Sequence, residues 1–585
     1  MQRILAPVGL ALAAVLAAQD DSAAWRLLPR DPAIVIAIDG PGRMAKTLGE
    51  TRMGKVIGSS ALAKRLLEQV GELEGRMKEL GGEAGFDVEK HYRELLRYEG
   101  RLLVAIGQIR WDKLWKASLT GQRHDPEPGD IGPVTLVLTP DGKTDLPGLC
   151  EGFARRAEKA GGVREFDAGG IRFREPSGAA EAGFTFTLPQ MVDGCLFLAM
   201  GIGLQKELGA LLSAPAGQRF VPSEAVRAGA LAVEFSAGMV RGFVGGLTEH
   251  LGEAEPDLGP VIKAVVEGLG LDAIGALRWS LRQKDDVLIS QSEIALPGGA
   301  RGLFAALATT ARRPRLLDLA PLHLDEWGVS PIRLPAVYET IAKAWDALGD
   351  KLPMAREDGE REFAELFKVR LKEDLLDHMG GEVLAITTAA QAADPGAEDP
   401  MAAVGDVALG FELRDPAAFG KSWDKLLRSR GLHTARKSEE YQGVRVFTQK
   451  VLGAMNFDYA VTERLFLVAF GEKGRQYLRA VIDEEAARKA GKAPDPLPPH
   501  VQARLAHAPQ GWNGIAVNSL SVGLETAAGM IENSMAQLAM EEAPWAEELA
   551  EDLRSLAGDL RRAKVDRGVG FARWTADELV SRTIW

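Results

Sequence analysis

Six short segments of the first half of the chain recur in the same order in its second half. The offset between partners changes only across polar loops. The matching residues are 102–106 with 382–386, 132–138 with 405–411, 170–173 with 443–446, 196–198 with 465–467, 231–233 with 515–517, and 275–279 with 570–574. One match has little weight, but six in a fixed order predict two divergent, tandem copies of one structural unit. We expect the copies to span residues 25–312 and 313–585.

The shared segments predict an α+β fold for each copy. Residues 134–138 and 407–413 alternate apolar with polar or small side chains, which is the period of a strand. Residues 146–159 and 419–429 place apolar side chains three or four apart, which indicates helices with one apolar face. Consecutive strands joined by short turns predict antiparallel sheets, and we expect the helices to pack on one face. Further helices are expected near residues 62–80, 204–212 and 543–560.

Residues 1–18 have the layout of a secretory signal peptide. Arg3 is the only charged residue, residues 4–18 form an apolar run that ends in small side chains, and Asp20 and Asp21 follow. A membrane anchor is the alternative, but the run is shorter than the roughly 20 residues that cross a bilayer. We therefore expect a periplasmic or extracellular protein with no transmembrane segment after cleavage of the signal.

The charge of the chain argues against a nucleic-acid partner. The formal net charge is −12 at pH 7, and an acidic surface repels the phosphate backbone. The sequence also has no run of lysine and arginine with interleaved aromatic residues. An envelope or extracellular macromolecule, or a hydrophobic small molecule, is the expected partner class.

The two cysteines, Cys150 and Cys195, both fall in the first copy. An exported chain meets oxidising conditions, so a disulfide between them is one interpretation. The other is a pair of buried thiols that act as small apolar side chains. The sequence leaves both open.

Local motifs for metal or cofactor binding are missing. No two of the eight histidines have the spacing that shares a metal on one strand or helix, and no Cys-x-x-Cys occurs. Two acidic, proline-containing loops occupy equivalent positions in the copies, with carboxylates at Asp125, Glu127 and Asp130, and at Asp394, Glu398 and Asp399. Their spacing differs between copies, which favours solvated turns over a calcium site. We expect no metal site and no cofactor.

Two partial motifs resemble catalytic or nucleotide-binding sequences. Gly201 and Gly203 follow a strand and open a helix, but Lys206 replaces the third glycine of a dinucleotide fingerprint. Ser422 and Lys425 have the Ser-x-x-Lys spacing of penicillin-binding proteins, whose other motifs are missing here. We therefore expect no catalytic residue and no cofactor-binding residue.

A predicted helix after residues 231–235 carries four glycines, at positions 238, 242, 245 and 246. Glycine lowers helix stability, so this clustering indicates close approach of another group to the backbone. A neighbouring helix or sheet is the default explanation, and a flat ligand or lipid chain is the alternative, which the sequence does not separate from it.

Residues 27–36 begin with Leu-Leu-Pro-Arg-Asp-Pro. This opening resembles the Leu-Pro-x-Asp strand of exported bacterial proteins of uncharacterised function that carry duplicated domains. The resemblance implies export and duplication, but no activity and no site residues.

Three hypotheses for function follow. The first is an exported, non-catalytic binding or scaffold protein. The second is a carrier of a hydrophobic ligand such as a lipid, which an apolar tunnel would favour. The third is a hydrolase whose site residues are dispersed in the sequence, which a cleft with two close carboxylates or a Ser-His pair would favour.

Overall fold

The chain folds into two compact units. The computed structural model describes residues 22–29, 31–65, 94, 97–111, 130–177, 185–201, 204–213, 220–254, 259–324, 326–349, 352, 354–387, 406–434, 436–451, 455–521, 524, 528, 544–565 and 567–585. The first unit comprises the described residues of 1–50, 66–250 and 276–284, and the second those of 51–65, 251–275 and 285–585. Outside the described residues lie the predicted signal peptide, residues 66–80 of one predicted helix, and both acidic loops except Asp130.

The first unit is built on an antiparallel sheet. Its strands are β1 (Ile34–Asp39), β2 (Arg101–Ile106), β3 (Val134–Leu138), β4 (Val163–Ala168), β5 (Ile171–Pro176), β6 (Thr185–Phe186), β7 (Gln190–Val192), β8 (Cys195–Gly201), β9 (Leu231–Ser236) and β10 (Ala276–Lys284). The order in the sheet is β7–β8–β3–β2–β1–β9–β10, and β6 pairs with the end of β8. The pair β4–β5 forms a separate hairpin.

The second unit contains a longer antiparallel sheet. Its strands are β11 (Val287–Ala295), β12 (Trp327–Pro331), β13 (Met379–Thr387), β14 (Val407–Leu413), β15 (Lys437–Tyr441), β16 (Val444–Val451), β17 (Met455–Val461), β18 (Leu465–Phe470), β19 (Gly514–Ser519), β20 (Arg567–Trp574) and β21 (Glu578–Ile584). The order is β15–β16–β17–β18–β14–β13–β12–β19–β20–β21–β11. The strand β11, which the sequence places in the first copy, thus pairs with β21 of the second unit.

The α+β class is confirmed, and the helices predicted at residues 146–159, 204–212, 419–429 and 543–560 occur near their expected limits. The helices are α1 (Ser22–Arg26), α2 (Pro41–Glu50), α3 (Arg52–Ser59), α4 (Leu146–Ala160), α5 (Leu204–Ser213), α6 (Glu224–Ala228), α7 (Ala237–Ala254), α8 (Gly259–Leu269), α9 (Gly302–Leu307), α10 (Leu334–Leu348), α11 (Arg356–Phe367), α12 (Pro416–Ser429), α13 (Glu472–Lys489), α14 (Pro499–Arg504) and α15 (Pro544–Ala563). Asp145 and Asp415 cap α4 and α12, because each carboxylate accepts a hydrogen bond from a first-turn backbone N–H at 2.9 Å.

Helices cover both faces of the first sheet, so the expectation of one covered face is wrong. Leu138 and Leu196 pack with α4 in one apolar cluster. Their chain neighbours Val137 and Phe197 point to the opposite face, where they pack with α5. The strands therefore carry apolar side chains on both faces of the sheet, as strands buried on two faces do.

The second sheet is covered in the same way. Phe411 and Phe466 pack with α12, whereas Leu467 and Ala469 pack with α13 on the other face. The apolar run of β18, Leu-Phe-Leu-Val-Ala-Phe, is the sequence signal of this double coverage.

The register of each sheet is fixed by a buried leucine in a central strand. Leu103 lies opposite Ala37 of β1 and Val137 of β3. In the second unit, Leu384 lies opposite Val329 of β12 and Gly410 of β14.

Candidate functional site

The two cysteines are buried free thiols in the structure. Cys150 packs among apolar side chains of α4 and its sheet face. Burial raises the pKa of its thiol to about 11, so the nucleophilic thiolate is scarce at neutral pH. Cys150 thus serves the packing of one sheet face, and Cys195 packs in the apolar cluster on the other face.

The Ser-x-x-Lys segment does not form a catalytic pair. Ser422 and Lys425 lie on α12, and no hydrogen bond joins their side chains. Between them, Trp423 stacks on the core, and Asp424 forms ion pairs with arginines at 2.6 and 2.8 Å. Since a nucleophile needs a base within hydrogen-bonding reach, this helix lacks the arrangement.

The glycine turn before α13 lies within the described residues, whereas only the first glycine of the turn before α5 does. Gly201 ends β8, and residues 202 and 203 lie outside the described residues. In the second unit, Gly471 has φ 79°, and Asp406 accepts a hydrogen bond from the Lys473 backbone N–H at 3.1 Å. The chain's own carboxylate therefore occupies the position at the start of α13 where a phosphate would bind.

Among the described residues, no group of three histidine, cysteine or acidic side chains could hold a metal. His500 is half-buried, and burial together with Arg504 and Arg567 lowers its pKa. This histidine is therefore neutral at pH 7 and stands beside cations rather than beside metal-ligating carboxylates.

One of the clustered glycines of α7 accommodates an aromatic side chain of the first unit. A Cβ at Gly242 would lie 3.0 Å from Cδ1 of Trp111. The Trp111 indole also lies 3.3 Å from the sulfur of Met239 and edge-on to Phe243. Close approach of a protein side chain thus explains this glycine, without a ligand.

A buried ion pair joins β1 and β2 of the first unit. Arg101 donates to one Asp39 oxygen from Nε at 3.1 Å and from a terminal nitrogen at 3.0 Å. Its remaining donors reach the carbonyls of Arg227 and Gly229 at 2.7 and 3.1 Å. Because every partner belongs to the chain, this charge pair holds the sheet to the end of α6.

The second unit contains two close, buried carboxylates. Glu382 accepts a hydrogen bond from the Leu316 backbone N–H, and Glu412 accepts one from that of Gly381. Arg315 bridges them, at 3.8 Å from Glu382 and 2.5 Å from Glu412. Burial first, and then the charge of Glu412, raises the pKa of Glu382. These carboxylates anchor the segment before β12 through the Leu316 backbone N–H and the Arg315 side chain.

A shallow pocket of about 290 Å³ lies in the first unit. Its lining consists of Asp31, Pro32, Val35, Phe220, Val221, Glu234 and Ser236. Arg278 and Ser223 already neutralise and hydrogen-bond the Glu234 carboxylate, at 3.1 and 3.0 Å. The mixed lining differs from the apolar tunnel expected of a lipid carrier.

Among the described residues, one group of exposed apolar side chains lies on two helices and the segment before a third. It consists of Val265 and Leu269 on α8, Ile341 and Trp345 on α10, and Met354 before α11, which are 37–55% exposed. We call these five residues the apolar helical surface. None of the sequence-based predictions includes this surface, although its apolar pairs recur four residues apart on each helix.

The three segments that carry these side chains are neighbours. The two helices meet at Gly268, where a Cβ would lie 3.0 Å from that of Ala344. Each of these small residues stands next in sequence to an exposed apolar residue. The Trp345 indole donates to the Met354 carbonyl at 3.0 Å, which joins the third segment to α10. Exposed apolar side chains on neighbouring segments make this a candidate contact site for other molecules.

Comparison with known proteins adds no family. No protein-family model and no curated protein matches the sequence. One solved structure that the chain resembles is crystal form I of TP0453, at 11% identity over 46% of this chain and 78% of that chain, with a TM-score of 0.20. A likeness this slight carries no argument about fold or function. No helix in the described part of the chain has the length and apolar character needed to cross a membrane.

Proposed function

We propose that the protein is an exported, non-catalytic binding protein that holds a macromolecular partner through the apolar helical surface. The exposure of five neighbouring apolar side chains in the second unit is the observation that carries this proposal. Apolar area exposed on neighbouring segments of a protein surface is often a binding site, because covering it removes water from apolar groups and lowers the free energy.

The remaining polar features of the described residues support a non-catalytic role. The close carboxylates accept hydrogen bonds from backbone donors, and Ser422 has no base within reach. Catalysis requires an acid, base or nucleophile that faces substrate. A hydrolase and a lipid carrier therefore have less support than a binding protein.

Export of the chain is part of the same proposal. The layout of residues 1–18 supports it, as does the resemblance of residues 27–36 to exported bacterial proteins. N-terminal sequencing of the protein from the periplasmic or culture fraction tests it. A start near Gln19 would agree, whereas a cytoplasmic chain that begins at Met1 would contradict export.

We also propose that the two units descend from one duplicated ancestor. The strand order β7–β8–β3–β2–β1–β9–β10 in the first unit parallels β17–β18–β14–β13–β12–β19–β20 in the second. The connections in sequence also run in the same sense. A shared order of seven strands supports descent from one unit more strongly than short sequence matches do.

The binding role can be tested by photo-crosslinking in the cell that exports the protein. A photoreactive residue in place of Leu269, which is itself part of the apolar helical surface, should give adducts with a macromolecule. The adducts should disappear when Ile341→Asp is added. A matched Val221→Asp change, on an exposed valine of the first unit, should leave them intact. If the probe at position 269 yields no adduct, the surface does not bind a partner and the proposal is wrong.

A further inference from the structure

The pocket of the first unit lies where one face of the sheet meets an aromatic side chain. Val35 of β1 and Glu234 of β9 are directly opposite each other in the sheet, and both line the pocket. Phe220 lines it from the segment before α6, and its ring lies beside that of buried Trp25, with the centroids 6.0 Å apart. Because Phe220 also packs against the core cluster on this face, the pocket has a fixed aromatic side.

The Glu234 carboxylate has one oxygen with no partner. Both of its donors, Arg278 Nε at 3.1 Å and Ser223 Oγ at 3.0 Å, bind the same atom, Oε2. No donor among the described residues binds Oε1. The side chain is 12% exposed, so this oxygen lies close to the protein interior, where a hydrogen bond from a charged donor is strong.

Two further polar groups line the same pocket. Ser236 lies two residues after Glu234 and therefore on the same face of the sheet. Its Oγ accepts a hydrogen bond from the Met239 backbone N–H at 3.2 Å, and a hydroxyl oxygen can accept a second one. Asp31 adds another carboxylate. The lining thus presents acceptors and negative charge, and it includes no lysine or arginine among the described residues.

We infer that this pocket binds a small primary amine that carries an aromatic or branched apolar group. The ammonium group donates to Oε1 of Glu234, and the apolar group contacts Phe220 and Val35. A volume of about 290 Å³ lies at the lower end of the roughly 300–1,000 Å³ of ligand pockets, so a single ring with a short chain fits. This site lies in the first unit and goes beyond the binding function proposed for the second.

The same charges disfavour other classes of ligand. An anion would meet two carboxylates, and Arg278 is already bound to Oε2 of Glu234. The start of α7 beside Ser236 attracts negative charge, and the carboxylates of the lining already supply it. A wholly apolar ligand would remove water from Oε1 without replacing its hydrogen bonds, which costs free energy.

A ligand-observed NMR titration of the purified full chain tests the inference with three probes that share one ring. Phenethylamine should bind with a dissociation constant of about 1 mM or below, as a ligand of this size does. The alcohol 2-phenylethanol has no charge and should bind about tenfold more weakly. The anion 3-phenylpropionate should show no binding.

Substitutions at Val221, which also lines the pocket, locate the site without risk to the fold, because this residue is 77% exposed. Val221→Arg adds a cation to the lining and should weaken phenethylamine about threefold to tenfold. The matched change Val221→Glu should retain or strengthen binding. Glu234→Gln removes the charge, keeps the shape, and should weaken phenethylamine about tenfold; circular dichroism would verify its folding.

Three results would overturn the inference. The first is no binding of phenethylamine up to about 10 mM, and the second is equal binding of the three probes. The third is binding of phenethylamine that neither Val221→Arg nor Glu234→Gln weakens, because the amine would then bind elsewhere. Tighter binding of a peptide that begins with phenylalanine would also overturn the free amine as the ligand.

Discussion

Replacing Arg101 by methionine removes the charged partner of Asp39 and keeps a side chain of similar length. Both residues of the pair are only 6% exposed. Two hydrogen bonds join Arg101 to the carboxylate, and two more reach the carbonyls of Arg227 and Gly229. The substitution therefore leaves the buried Asp39 carboxylate with only the weak contact to Arg43 at 3.5 Å, and it removes a donor from each of the two carbonyls.

The expected loss is about 3–5 kcal/mol of unfolding free energy for the first unit, the usual cost of stranding one member of a buried ion pair. Arg43 supplies the matched control. It lies 3.5 Å from the same Asp39 oxygen but is 47% exposed at its side chain. Because water screens an exposed pair, Arg43→Met should cost less than about 1 kcal/mol. Burial, rather than the presence of a salt bridge, decides the difference.

Hydrogen exchange of peptides from β1 and β2 measures the effect in the first unit alone. Arg101→Met should accelerate exchange of the slowest amides by roughly two to four orders of magnitude, whereas Arg43→Met should change it less than about tenfold. Replacing Asp39 by leucine in the Arg101→Met background removes both charges and should recover part of the loss. Equal, small effects of the two arginine changes would refute the argument from burial.

Three further outcomes are expected. Cys150 and Cys195 should not react with a thiol reagent in the native protein, and denaturation without reductant should release two thiols; a count of zero would mean a disulfide. The raised pKa of Glu382 means that this carboxyl stabilises the fold at low pH and loses that contribution as pH rises through its folded value. Glu382→Gln should therefore reduce the unfolding free energy that the second unit loses between about pH 4 and 7. Denaturant titrations at both pH values measure this loss. If burial were not the cause, the variant and the parent protein would lose the same amount. Ser422→Ala and Lys425→Ala should each shift unfolding free energy by less than about 0.5 kcal/mol, and labelling of Ser422 by a fluorophosphonate would contradict the absence of a catalytic pair.

Local sequence signals predicted the elements of the fold well. The limits of α4 and α12 follow from an aspartate that caps each helix, a proline in the first turn and one apolar stripe. Antiparallel pairing followed from strands joined by short turns. These features depend on interactions within a few residues, so a single sequence contains them.

The coverage of both sheet faces does have a signal in the sequence. Alternation in residues 134–138 and 407–413 predicts sheets with one buried face. The neighbouring strand β18, however, is apolar at every position. A strand that is apolar at every position has no polar face for solvent. It therefore predicts a sheet that is covered on both faces.

The apolar helical surface depends on tertiary packing and had only an incomplete signal. The residues of α10 are apolar around much of the helix, so periodicity cannot tell which stripe meets the protein and which remains exposed. The close approach at Gly268 that brings α8 beside α10 joins residues far apart in sequence. The same holds for Glu382 and Leu316, which lie 66 residues apart.

The register of the two sheets refines the duplication proposal. The gapless sequence match equates Leu103 with Val383, yet Leu384 is the residue that occupies the equivalent buried position opposite β12 and β14. A shift of one residue exchanges the two faces of a strand, so the gapless match would equate side chains that lie on opposite faces of the two sheets. Residues 102–106 are apolar on both faces of the strand. Matching apolar residues alone therefore cannot decide which residue of β13 is equivalent to Leu103. Hydrogen-bonded partners do fix it, and the proposed common ancestor is therefore aligned by strand pairing, with Leu103 equivalent to Leu384.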